Sequence, residues 1–335
     1  MSAPLSCIIG LSGLRLKKAE SVFLRDANPW GVILFSRNVD TPEQLRKLTG
    51  DIRDAMGRNT LIFVDQEGGR VQRLKAPHWP AYPSGDDYAS IYRRDEEEGR
   101  RAIYLGHRLI ADDLRTVGIT ADCAPVLDLP QPNADPIISD RALGQTTGEI
   151  INMAHAAMAG LMAGGVSPVV KHIPGHGRAT VDSHKALPKI DTDRDTLEAS
   201  DFLPFRALND APMAMTAHAV YMHKSQSAVT VSKRALNDII RKSIGFDGLL
   251  MSDDLDMKAL SGDLMQKTER ALAAGCDIAL QCSGDLSDSI QVAKGSVSLS
   301  GQAYRRAKIA DYCSDDISDF DATSARAEFE TLMAS

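Results

Sequence analysis

No stretch of this 335-residue chain approaches the roughly 20 consecutive apolar residues that cross a bilayer, so no membrane partner is expected. The first ten residues, Met1 to Gly10, lack a basic region followed by a long apolar stretch; they do not read as a secretory signal, and the expected location is the cytoplasm. Cysteine is scarce. The five present (Cys7, Cys123, Cys276, Cys282 and Cys313) are scattered and odd in number, as small core residues of a reducing compartment are. Cys276 and Cys282 do not have the CxxC spacing of a zinc site. Positive charge is not in excess: the net charge of -7 speaks against a nucleic-acid partner, because phosphate binding needs a basic face. Internal repeats, low-complexity segments and long Pro/Gly linkers are all missing. Length alone allows two domains, but barrels of alternating strands and helices run this long as one. We therefore expect a single catalytic domain over 1–335, with a core over about 5–312 and a loosely packed polar tail from about Ser314. One barrel without an accessory domain is compatible with a monomer.

What is present is an alternation. Short apolar runs recur at Cys7-Ile8-Ile9, Val32 to Phe35, Leu61 to Val64, Ile119 to Ala121, Val169-Val170, Met213 to Met215, Leu249 to Met251 and Ile278 to Leu280. Between them lie amphipathic segments with apolar residues three and four apart, such as Pro42 to Met56, Glu96 to Val117, Asn152 to Ala163 and Leu264 to Ala274. Asp95 and the three glutamates after it, followed by Arg100 and Arg101, form a solvated helix start. Strands alternating with helices pair in parallel. About eight such units point to one closed (β/α)8 TIM-type barrel rather than an open sheet.

Polar residues follow the strand-like runs directly: Ser36-Arg37-Asn38, Asp65-Gln66-Glu67-Gly68-Gly69-Arg70, Lys171-His172, Thr216-Ala217-His218 and Ser252-Asp253-Asp254. In barrels the catalytic face lies at the C-terminal ends of the strands, where these residues fall. Ser252, Asp254 and Asn38 read equally well as helix N-caps. Three of the eight histidines lie in Lys171 to His184, a segment whose Pro174, Gly175 and Gly177 exclude regular structure, so its polar groups are expected on a loop. Such a loop binds a metal or an anion, or one of its histidines moves a proton. His184 lies two residues after Asp182, close enough for the carboxylate to fix the imidazole's tautomer. His176 reads as a loop-holding residue. Asp253, fixed at a strand end, is suited to act as a nucleophile, a metal ligand or an electrostatic stabiliser.

Four motifs then occur in order: Asp65-Gln66-Glu67-Gly68-Gly69-Arg70-Val71-Gln72-Arg73, Lys171-His172-Ile173-Pro174-Gly175-His176-Gly177, Asp182-Ser183-His184, and Ser252-Asp253-Asp254-Leu255. Together with Gly31 to Asn38 and Ala124 to Asp128 they resemble the glycoside hydrolase family 3 β-N-acetylglucosaminidases of bacterial cell-wall recycling, over roughly residues 5 to 285. The resemblance implies a retaining double displacement on terminal β-linked N-acetylglucosamine, with no cofactor and no metal. By motif position it implies Asp253 as nucleophile, His184 as acid/base and Asp182 as its orienting partner. Asp65, Arg73, Arg141, Lys171 and His172 match positions that bind the sugar. The short cytoplasmic members act on anhydro-muramyl muropeptides carrying N-acetylglucosamine, and these are the partners implied here. The chain departs from the family at Ile173, often Phe there, at Arg178, often an acid or Asn, and over Ser139 to Leu143. Arg178 is expected to add positive charge beside the loop and to influence the choice of leaving group. The glycines, with no apolar anchor between Gly175 and Val181, suggest that the loop from about His172 to Leu187 moves.

Three other classes compete. A metal-dependent hydrolase would use His172, His176 and Asp253. A sugar-binding protein on a decayed barrel would not keep Asp182, His184 and Asp253. A phosphorylase would share the covalent step but transfer the sugar to phosphate. Should His184 prove only a sugar ligand, Glu67 is the next candidate proton donor.

Overall fold

The computed structural model describes residues 3–221, 227–312 and 317–334. Its eight strands are β1 (Leu5–Gly10), β2 (Pro29–Ile33), β3 (Leu61–Val64), β4 (Ala121–Asp122), β5 (Ser167–Ile173), β6 (Met213–Thr216), β7 (Leu249–Asp254) and β8 (Ile278–Gln281). They pair in parallel in chain order, and β8 closes on β1. With helices between the strands this is the (β/α)8 barrel expected from the alternation. All eight anticipated runs lie in or against a strand, although Leu34 and Phe35 fall just beyond β2.

The strand period of two sorts the core. Ile8, Ile33, Leu61, Phe63, Val169, Met213, Met215, Leu249, Met251, Ile278 and Leu280 fill the barrel interior. Their neighbours Cys7, Ile9, Val32, Ile62, Val64, Val170, Ala214, Leu250 and Ala279 face the surrounding helices. Truncating a Met or Ile in packing of this kind costs about 2–5 kcal/mol, so the interior is a stiff base for whatever stands on it.

Helix boundaries follow local chemistry. Pro42–Met56 starts at Thr41, whose hydroxyl accepts from the Gln44 amide at 3.2 Å, and ends at Gly57 with φ 63°. Glu96–Thr116 is capped by the Asp95 carboxylate on the amides of Glu97 and Glu98, both at 2.9 Å. Leu264–Ala274 runs from an Asp263 cap to Gly275. Among the described residues no helix is long and apolar enough to cross a membrane.

Three local expectations are corrected. Ser252, Asp254 and Asn38 cap no long helix. The Ser252 hydroxyl accepts from the Leu280 amide, and the Asp254 carboxylate accepts from the amides of Asp256 and Cys282. The Asn38 side chain accepts from the Phe35 amide and donates to the carbonyls of Leu11 and Gly13. Each ties neighbouring strand ends together, a demand no sequence window displays. The chain after residue 316 is no loose tail. Ala322–Ala334 is a helix that buries Ala325 and Phe329, four apart on one face. The Phe329 ring lies 6.4 Å from that of Tyr82 and 6.2 Å from that of Tyr88, and Glu328 pairs with Arg101 at 2.7 Å. Finally, β5 runs on through Lys171 and His172 to Ile173, so the loop begins at Pro174. Cys7, Cys123 and Cys276 are buried free thiols and Cys282 is half-buried, whereas Ser314 and Cys313 lie outside the described residues.

Candidate active site

Continuing the inward register two residues past Ile33, Phe63, Val169, Met251 and Leu280 gives Phe35, Asp65, Lys171, Asp253 and Cys282. All five line one cleft of about 210 Å3 at the C-terminal mouth of the barrel, with Glu67, Arg73, Arg141, His172, His176 and His184. Of the eight residues singled out in sequence, seven line this cleft, and the eighth, Asp182, holds His184 from behind.

The polar floor is an ion-pair network. Lys171 Nζ donates to Asp65 Oδ1 at 2.8 Å and lies 2.6 Å from Glu67 Oε1. Arg73 donates to Asp65 Oδ2 at 3.0 Å. Arg141 grips Glu67 with two parallel bonds of 2.8 Å. Burial pushes the Asp65 carboxyl up, but Lys171 and Arg73 outweigh it and hold it far below the usual carboxylate range. Glu67 is likewise raised by burial and lowered by Lys171 and Arg141, ending at about 2. Burial disfavours the Lys171 cation, yet Asp65 and Glu67 raise it above the ordinary lysine value. A carboxyl held at about 2 carries no proton near neutrality, so Glu67 is unsuited to the role of reserve proton donor. Sequence reading missed what Glu67 does, because its partners lie 74 and about a hundred residues away.

Asp253 is 8% exposed and one of its oxygens accepts from the Asp254 amide at 2.8 Å. Next to it, burial pushes the Asp254 carboxyl up to about 7. The His184 ring is well exposed, and its Nδ1 lies 2.8 Å from Asp182 Oδ1. The same oxygen accepts from the His184 amide at 2.9 Å. Burial raises the Asp182 carboxyl, but the bonds from His184 bring it below the ordinary value. The 2-residue spacing therefore does bring the pair together.

The segment before Asp182 is held more firmly than its glycines suggest. Ala179 is buried at 1% exposure. A Cβ on Gly177 would sit 1.8 Å from the Leu129 carbonyl oxygen, so only glycine fits there. Tyr221 donates its hydroxyl to the Gly175 carbonyl at 2.8 Å. Arg178 does not add free charge to the cleft: its Nε donates to Asp201 at 2.7 Å, and Asp201 is 1% exposed. Arg178→Ala would strand that buried carboxylate. We expect a loss of about 3 kcal/mol in urea unfolding, with the ratio of rates on good and poor leaving groups unchanged. A shift in that ratio without loss of stability would restore the specificity role.

Metal ligation by His172, His176 and Asp253 has no geometric basis. His172 Nδ1 lies 2.6 Å from Asp128 Oδ2. Both ring nitrogens of His176 are buried without a hydrogen-bond partner among the described residues, and burial lowers that ring to about 4. Among the described residues no three His, Cys, Asp or Glu side chains are grouped to hold an ion. His176 holds the loop through its backbone, whose amide donates to Asp128 at 2.6 Å.

Fold and cleft together define a barrel with an ion-paired polar cleft at the C-terminal mouth, lined by both a strand-end carboxylate and an exposed imidazole. The chain belongs to glycosyl hydrolase family 3, whose N-terminal domain model matches residues 6–309. It is 38% identical over 279 residues to a β-hexosaminidase of Alkalilimnicola ehrlichii, covering 82% of this chain and 80% of that one. It superposes with a TM-score of 0.85 and 30% identity on native NagZ from Neisseria gonorrhoeae, over 99% of this chain and 97% of that one. The same protein in complex with N-trifluoroacetyl-D-glucosamine matches with a TM-score of 0.84 over the same shares. The chain is a glycoside hydrolase.

Proposed function

We propose that the protein is a retaining exo-β-N-acetylglucosaminidase that removes terminal β-linked N-acetylglucosamine from peptidoglycan turnover fragments. The carrying observation is that Asp253 and the Asp182-braced His184 line the same cleft, over a floor of paired Asp65, Arg73, Arg141, Lys171 and His172. The β-hexosaminidase relatives and the N-trifluoroacetyl-D-glucosamine complex of the neighbour support an amino-sugar in this floor. Asp65 accepts from sugar hydroxyls while Lys171, Arg73 and Arg141 donate to their lone pairs. Asp253 attacks the anomeric carbon as His184 passes its proton to the departing glycosidic oxygen. His184, now neutral, takes a proton from water, and that water's oxygen displaces Asp253 and restores both groups. Two displacements return the β configuration. A small cleft with a closed floor suits a chain end rather than a chain interior. The natural aglycone is an anhydro-muramyl peptide, the compartment is the cytoplasm, and the enzyme works as a monomer without metal or cofactor.

The test is turnover of a chromogenic β-N-acetylglucosaminide, with and without inorganic phosphate and with a chelator, with the product read by NMR. Free N-acetylglucosamine formed first as the β anomer is expected, at a rate that neither additive changes. A sugar 1-phosphate would make the enzyme a phosphorylase. Initial α product would overturn the double displacement, and loss of activity on chelation would restore a metal.

A further inference from the structure

A buried carboxylate braces the end of β5. Asp128 is fully buried, with three hydrogen bonds to residues of the strand end and the loop after it. One oxygen, Oδ1, accepts from two backbone amides, His172 at 3.1 Å and His176 at 2.6 Å. The other, Oδ2, lies 2.6 Å from His172 Nδ1. Burial pushes the Asp128 carboxyl up, but these contacts bring it below the ordinary carboxylate value. A carboxylate only accepts, so the ring nitrogen facing it must carry the proton. His172 lines the cleft, and Nε2 is the ring nitrogen that Asp128 does not engage.

We propose that Asp128 is a positioning residue: it fixes the proton of His172 on Nδ1, so that Nε2 meets the sugar as a hydrogen-bond acceptor. This rests on the reading of His172 as a sugar ligand. The polarity matters because the neighbours are mostly donors. Lys171, Arg73 and Arg141 offer only N–H groups to a hydroxyl. A hydroxyl whose lone pairs they occupy needs an acceptor for its own proton. Asp65 and Glu67 already spend oxygens on those cations. Asp65 keeps lone pairs for some of these protons, and His172 with a free Nε2 lone pair supplies a further acceptor. His176, whose ring centroid lies 5.8 Å away, is kept neutral by burial and adds no charge beside it.

The variant Asp128→Asn separates polarity from shape. Its oxygen must stay on the two backbone amides, so its NH2 turns to Nδ1. An NH2 group only donates there, which drives the ring proton to Nε2. The experiment is 15N NMR of histidine-labelled full-length enzyme at about pH 8, above the ordinary histidine range, with inhibition by N-acetylglucosamine measured alongside. Wild type should show His172 protonated at Nδ1 and bare at Nε2. Asp128→Asn should invert this and weaken N-acetylglucosamine on the order of tenfold, raising KM more than it lowers kcat on an activated glycoside. In a His172→Ala background, Asp128→Asn should weaken the sugar no further. A wild-type proton on Nε2 overturns the proposal without any variant. An undiminished effect of Asp128→Asn in the His172→Ala background overturns it too, because Asp128 would then act on the loop. If His172→Ala binds N-acetylglucosamine as wild type does, the ligand reading itself fails, and the acceptor role with it, whatever tautomer is observed.

Discussion

Asp253→Ala is expected to lose on the order of 10³-fold or more in kcat/KM while remaining folded. The side chain makes one local hydrogen bond, to the amide of the next residue, so its loss removes little from the barrel. The chemical loss is expected to be large, because the neighbouring carboxylates are poorly placed to replace it. Asp254 is pushed by burial to about 7, so near neutrality much of it is protonated, and one of its oxygens is committed to the amides of Asp256 and Cys282. Glu67 is ionised but gripped by Arg141 and Lys171. Asp65 is tied to Lys171 and Arg73.

A direct readout accompanies the rate. A 5-fluoro sugar with an activated leaving group slows both displacements, and the second more than the departure of so good a leaving group, so the glycosyl-enzyme accumulates. Mass spectrometry of peptides from the trapped wild type should place the adduct on Asp253. An adduct on Asp254 or Glu67 would move the nucleophile, and normal inactivation with no adduct would remove the covalent step.

Strand register makes much of this cleft legible in sequence. Asp65, Lys171 and Asp253 each stand two residues beyond an inward apolar residue, and a period of two needs no tertiary knowledge. His184 is legible for a different reason: its partner is two residues away. The carboxylates that hold the cleft from below are not legible in this way. Glu67 meets Arg141 across 74 residues, Asp128 meets His172 across 44, and Arg178 meets Asp201 across 23. Such pairs exist only once the barrel has closed, and a lone acid or arginine in a window carries no mark of them. The same holds for the strand-end ties made by Ser252, Asp254 and Asn38, which resemble caps locally because the same side chains serve both uses. The final helix was hidden by its composition: among polar residues, Ala325 and Phe329 alone are buried, against aromatic rings over 200 residues earlier.

His184→Ala is expected to separate substrates by their leaving groups. The exposed imidazole lines the cleft, and Asp182 holds its Nδ1 at 2.8 Å, so in the proposed mechanism Nε2 is the nitrogen left to transfer a proton. In the first step that proton neutralises the oxygen leaving the anomeric carbon. A sugar alkoxide is a poor leaving group and depends on it. A nitrophenolate is stable as an anion and leaves without help. The variant should therefore lose about 10²–10⁴-fold on an N-acetylglucosaminyl disaccharide but far less in the first step on a nitrophenyl glycoside. Because the second step also needs a base, the nitrophenyl substrate should give a burst of phenol followed by slow turnover, and azide, which needs no deprotonation, should speed that turnover and yield a β-glycosyl azide. Asp182→Ala should show the same pattern more weakly, since the ring survives but its orientation and the stabilisation of its charged form do not. Equal losses on activated and natural substrates, with no burst and no rescue by azide, would reduce His184 to a sugar ligand. Glu67 could not take over as the acid, because at about 2 it has no proton to give near neutrality.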